Sequence, residues 1–262
     1  MKNKLAIAKT FLALLHRDII VFRPYAFGRL IDAVVWSFAT LYVSCYILPH
    51  FGFPPKFALF LTLGNIAAWC AFETGSCISV ILGDLFGINS LSYYVSLPLP
   101  SSLIFIRLIL IDAYKSLVST LPMLPIAKMI LQDQIDLTTI NYATLSVSYI
   151  LCLLFFASLG VFISSLTPKM ENISSVKLRI LFPMWFLGCY QFSWHMMYQT
   201  SPLVAYANLL NPVTYITEGL RHSLPLQQPL IPFYICTIMT IIFIASCTLL
   251  SIRFFKKRID AL

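Results

Sequence analysis

The chain has 262 residues, of which 59% are hydrophobic and 11% charged, and it carries a net charge of +8 at pH 7. Soluble domains carry roughly 25% charged residues, so a water-soluble core of this size is excluded and an all-α polytopic membrane protein is predicted. The charges lie between apolar runs rather than along one basic face, which argues against nucleic acid and leaves membrane lipids as the surroundings.

The opening stretch, MKNKLAIAKTFLALLHRDIIVF, has an apolar run interrupted by Lys9, His16, Arg17 and Asp18. It is not expected to be a cleavable signal. Leu5, Ala8, Leu12, Leu15, Ile19 and Phe22 recur at helical spacing, so residues 1–27 are predicted to form an amphipathic helix at the cytoplasmic membrane interface.

A spanning helix needs about 20 mostly apolar residues. Six spans are predicted on that basis, within residues 28–253. The first is 28–48. The second, 57–82, contains Glu73, and the third, 103–126, contains Arg107, Asp112 and Lys115. The fourth lies within 137–168, the fifth covers 176–196 and the sixth 231–253, followed by a basic tail at 254–262. Residues 83–100 are also uncharged beyond Asp84, but GINSLSYYVSLPLPSS is rich in Ser, Asn, Gly and Pro. It reads as a short helix between spans, capped by Asn89 or Ser90 and stopped by Pro98.

Charges inside spans are costly and mark candidate functional positions. Asp112 and Lys115 are three apart, hence neighbours on one helical face. They read either as a self-neutralising pair or as a polar contact facing a pathway. Glu73 has no partner in its own helix and is read as protonated, paired with another span or facing a water-filled route. Arg107, near the cytoplasmic end, reads as a snorkelling side chain.

Six spans put both termini on one side. Thirteen of the 18 Lys and Arg lie before span one, between spans four and five or after span six, or within the adjoining first or last four residues of those spans. By the positive-inside rule these segments, and both termini, are predicted to be cytoplasmic.

No catalytic signature emerges. None of the nine glycines precedes a lysine, so the phosphate-binding loop GxxxxGK[ST] is absent, as are GxGxxG, HExxH and GxSxG. The four His are dispersed, and the seven Cys lie mostly in apolar runs with no CxxC, which suits small apolar packers. No catalytic residue, cofactor or metal site is predicted in this chain.

Two stretches carry a family resemblance. NPVTYITEGLR (211–221) resembles a pattern found before the last span of ABC-2 type transporter permeases, with Asn211, Pro212, Glu218, Gly219 and Arg221 at the matching positions. NSLSYYVSLP (89–98) is similar to the family's cytoplasmic stretch between spans two and three; it keeps Leu91, Leu97 and Pro98, and has Ser92 where members carry Glu. The resemblance implies a single ABC-2 type transmembrane domain over 1–262. It implies a homodimer working with two copies of a separate ABC ATPase subunit, which would bind ATP and Mg. Asn89, Ser90, Leu91, Ser92 and Tyr93 would form the coupling element, and 211–221 part of a re-entrant outer hairpin between spans five and six. The implied activity is export of a drug-like or lipidic substrate across a bacterial cytoplasmic (inner) membrane. A polysaccharide or lipid-linked glycan is the alternative substrate, and a membrane enzyme or channel without an ATPase partner the alternative function.

Overall fold

The computed structural model describes residues 2–52, 57–88, 99–132, 136–225 and 230–259, and every regular element among them is helical. The first helix, α1, is Lys2–Tyr42, extended by a π-helical turn at Val43–Ile47 and a 3-10 turn at Leu48–Phe51. The predicted boundary between an interface helix at 1–27 and a span from 28 is therefore wrong: one helix runs through both. Pro24 stands on the exposed side of α1. Its missing donor removes one backbone bond on the outward face without opening the packed side. A buried or half-buried stripe passes through Phe11, Leu14, Asp18, Phe22, Arg29, Ala33, Ser37, Leu41 and Cys45. Leu12 and Ile19, expected on the apolar face, are exposed.

α2, Phe57–Gly83, matches the second predicted span, and a π-helical turn at Asp84–Ile88 continues it. α3, Ser101–Thr120, stops at Leu121–Pro122, and a separate α4, Met123–Leu131, follows. The third predicted span, 103–126, is thus two helices. α5, Tyr142–Leu166, starts where Asn141 Oδ1 accepts from the Ala143 and Thr144 amides, at 3.1 and 3.3 Å, and ends just before Pro168. The fifth predicted span, 176–196, is also corrected. It consists of α6, Ile173–Val176, a π-helical turn at Lys177–Leu181 and α7, Phe182–Leu187, and it breaks at Gly188. Two short helices, α8 (Trp194–Thr200) and α9 (Pro202–Asn208), pack on each other and lead to α10, Pro212–Arg221. The last helix, α11, is Phe233–Ile259.

Four of these stretches are long and apolar enough to cross a membrane by length and composition: Ala6–Phe51, Phe60–Gly87, Tyr142–Leu166 and Phe233–Lys257. α3 has the length but carries three charges, and the α6–α7 segment is interrupted.

α5 is the hub, packed against α2, α3, α10 and α11. Gly160 lets it approach α2 closely, since a Cβ there would already sit 3.2 Å from Cys77 Sγ; one turn earlier on α5, the Phe156 carbonyl accepts from the Thr74 hydroxyl at 3.0 Å. α1 and α11 instead leave much of their surface outward, and the outward residues are apolar, such as Phe27, Val35, Ile238 and Leu249. Such a surface suits lipid rather than water. At one end of the bundle Phe105 of α3 stacks on Phe255 of α11, with centroids 4.9 Å apart, and Arg107 pairs with Asp18 of α1 at 3.0 Å. The N-terminal half of α1 and the C-terminal end of α11 therefore meet at the start of α3.

Candidate functional site

The sequence 211–221 builds a lock around the break after α7. Asn211 has extended backbone and caps α10, its Oδ1 accepting from the Val213 amide at 3.1 Å, and Pro212 takes the first helical position. Asn211 Nδ2 also donates to the Met184 carbonyl at 2.8 Å, tying the start of α10 to α7. Every residue from Val213 to Arg221 is buried.

A broken helix leaves backbone groups without partners, and burial makes that costly. Here three side chains of α10 satisfy four such groups. The Thr217 hydroxyl donates to the Gly188 carbonyl at 2.8 Å. Arg221 donates from Nη2 to the Tyr190 carbonyl at 2.8 Å and from Nη1 to the Phe192 carbonyl at 2.9 Å. Glu218 Oε1 accepts from the Trp194 amide, the first of α8, at 2.9 Å. Glu218 and Arg221 also pair, at 3.4 Å, with both side chains fully enclosed. The guanidinium lies 3.4 Å from the ring centroid of Phe60 on α2, a desolvated cation–π contact. Gly219 lies where α5, α10 and α11 cross, and its carbonyl accepts from the Ser148 hydroxyl at 2.9 Å.

Two glycines that sequence reasoning did not single out make this lock possible. A Cβ on Gly188 would run into Val213, and one on Gly64 into the Tyr190 carbonyl oxygen. Neither glycine belongs to a local motif, so only the packing of distant segments reveals their role.

The intramembrane charges resolve into cross-helix contacts. Glu73 is paired with another helix: Arg29 Nη1 of α1 lies 3.3 Å from Oε2, and the Ser119 hydroxyl of α3 donates to Oε1 at 3.4 Å. Arg107 does not snorkel; it is buried and paired with Asp18. No ion pair within 4.0 Å joins Asp112 to Lys115 among the described residues. Asp112 is buried toward Cys77, whereas Lys115 lines a recess between α1, α2 and α3. Neither cross-helix pair was legible from spacing within one helix.

Arg29 is partly exposed, so its pair with Glu73 is expected to contribute only about 1 kcal/mol. A double-mutant cycle of Arg29→Gln and Glu73→Gln, read by chemical unfolding in detergent, should give a coupling of that size. Strictly additive losses would mean that the two side chains do not interact.

A second cluster gathers aromatic rings from α1, α2 and α7. Trp36 and Phe72 are 4.9 Å apart, Phe72 and Trp185 5.2 Å, and Trp185 and Tyr190 4.8 Å. The indole nitrogens of Trp36 and Trp185 have no hydrogen-bond partner among the described residues. Phe72, Phe182 and Phe186 at its edge are exposed. The coupling residues expected from sequence, Asn89, Ser90, Leu91, Ser92 and Tyr93, lie outside the described residues.

The family model described as ABC-2 type transporter matches residues 95–224, a stretch that takes in α3 to α10 and the whole lock. No curated protein matches the chain. The chain belongs to the ABC-2 type transporter family, as a membrane permease.

Proposed function

We propose that this permease is the membrane subunit of an ATP-driven exporter, pairing with a second copy of itself and with two copies of a separate ATPase. The observation that carries this reading is the family match over 95–224, which takes in the buried run Val213–Arg221 near its end. The sequence has no phosphate-binding loop of its own, so the energy is assigned to the partner, which would bind ATP and Mg.

Six crossings are proposed, with α3 and the α6–α7 segment as the third and fifth. Of the charges of α3, Arg107 is matched there by Asp18, which lowers the cost of its depth. The meeting of α1 and α11 at the start of α3 supports an even number of crossings. The basic residues around that end support a cytoplasmic placement in a bacterial inner membrane. In this orientation α8 to α10 form the outer, re-entrant hairpin. Its irregular backbone at 188–193 is covered by protein, the condition for such backbone at membrane depth.

The pathway is proposed to run between the two copies, along the aromatic face of α1, α2 and α7, for a drug-like or lipidic substrate. A glycan is the second reading. It is favoured by the partly exposed rings of Phe72, Phe182 and Phe186, a face on which sugars can stack.

Coupling is assigned to residues 89–93, which would sit in a groove of the ATPase and transmit its closure to the helices. Co-purification in mild detergent should bring the ATPase with this chain. Leu91→Ala and Tyr93→Ala should lower permease-stimulated ATP hydrolysis at least tenfold without unfolding the helices. Unchanged stimulation in both variants overturns the coupling assignment, and the absence of any ATPase partner overturns the function.

A further inference from the structure

A recess of about 430 Å³ opens between α1, α2 and α3, within the usual size of ligand sites, roughly 300–1,000 Å³. Its polar lining holds Arg29, Arg107 and Lys115 with Asp18 and Asp84. Two of the cations are already engaged. Arg107 pairs with Asp18 at 3.0 Å, and Arg29 with Glu73 at 3.3 Å. Lys115 differs: its ammonium has neither a hydrogen bond nor an ion pair within 4.0 Å among the described residues. Glu73 and Asp112 act on it only at longer range, and Glu73 is already held by Arg29 and Ser119. Asp84 stands three turns further along α2, at the end toward Asp18.

An ammonium fourteen residues into an apolar helix, with no direct counter-charge, is costly. An anion entering the recess removes that cost. The walls indicate its kind. Val21 and Val80 line the recess, and each is 59% exposed, so the polar floor is continuous with the apolar outside of the bundle. Asp18 and Asp84 disfavour a multiply charged anion. A single negative charge carried on an apolar tail meets both conditions.

We propose that this recess holds the phosphodiester headgroup of an anionic phospholipid, with Lys115 as its counter-charge and the acyl chains along Val21 and Val80. The site lies within one copy of the chain, apart from the proposed pathway, and its occupancy requires neither ATP nor transport.

Native mass spectrometry of the full-length chain, equilibrated in mixed micelles with equal phosphatidylglycerol and phosphatidylcholine, tests it. The unmodified chain should retain phosphatidylglycerol over phosphatidylcholine by at least tenfold. Lys115→Gln should abolish that preference, whereas Lys115→Arg, which keeps the charge, and Lys128→Gln, outside the recess, should keep it. Excess inorganic phosphate should displace no lipid. Equal retention of the two lipids by the unmodified chain, an undiminished preference in Lys115→Gln, or displacement by phosphate overturns the proposal. Should Lys115→Gln fail to fold, Lys115→Met, which keeps a long side chain without the charge, decides it in the same way: an undiminished preference there overturns the proposal.

Discussion

Arg221→Met is expected to lower the stability of this permease by about 3–5 kcal/mol, the range for removing one partner of a buried pair. The side chain is completely enclosed and satisfies the carbonyls of Tyr190 and Phe192. Without it, the Glu218 carboxylate stays buried with no counter-charge, and two carbonyls of the broken segment lose their donors. Methionine fills much of the volume, so packing accounts for little of the loss. Removing the carboxylate as well, in Glu218→Gln with Arg221→Met, should recover only part of it, because the two carbonyls remain orphaned. Arg221→Lys keeps the charge but lacks the planar fork that reaches both carbonyls at once, and should fall between. Thermal unfolding in detergent measures all three. Full recovery in the double variant would show that the charges matter and the backbone bonds do not.

Gly64→Ala is expected to cost about 2–3 kcal/mol, near the upper end for forcing extra volume into a packed site. The added methyl would run into the Tyr190 carbonyl oxygen, a backbone atom that cannot rotate away as a flexible side chain would. That same oxygen accepts from Arg221 Nη2, so pushing it aside also breaks the lock. The two variants should therefore be strongly non-additive: Gly64→Ala in an Arg221→Met background should cost clearly less than it does alone. Full additivity would mean that α2 can shift without disturbing residue 190. Gly28, with open space around its Cα, is the control, and Ala there should be nearly neutral.

These cases mark what the sequence reveals and what it hides. The family motif was legible, and Glu218 and Arg221 do pair, as a spacing of three on one helix allows. Their main task, supplying partners to backbone groups near residue 190, was not legible, because nothing local marks 188–193 as a break. Helix-wide hydropathy carried a run over 176–196 past Gly188, where Val213 from a distant helix, together with the Met184 carbonyl, leaves no room for a Cβ. At the other end of the chain, Lys9, His16, Arg17 and Asp18 interrupt the apolar pattern, so the sequence alone separates 1–27 from a span starting at 28. The buried stripe of α1 tolerates polar members, since Asp18 and Arg29 each meet an opposite charge on a neighbouring helix. Hydropathy counts such residues as solvent-seeking; paired across helices, they pack.

The continuity of α1 has a mechanical consequence. A helix of 41 residues at 1.5 Å each is about 60 Å long, roughly twice the hydrocarbon thickness of a bilayer. With no loop between its ends, it behaves as a lever arm. A tilt of about 5° about its middle carries each end through about 2–3 Å. Its fulcrum is where Asp18 and Arg29 grip α3 and α2, so a push on the first four turns from the aqueous side would swing Trp36 and the rings beside it.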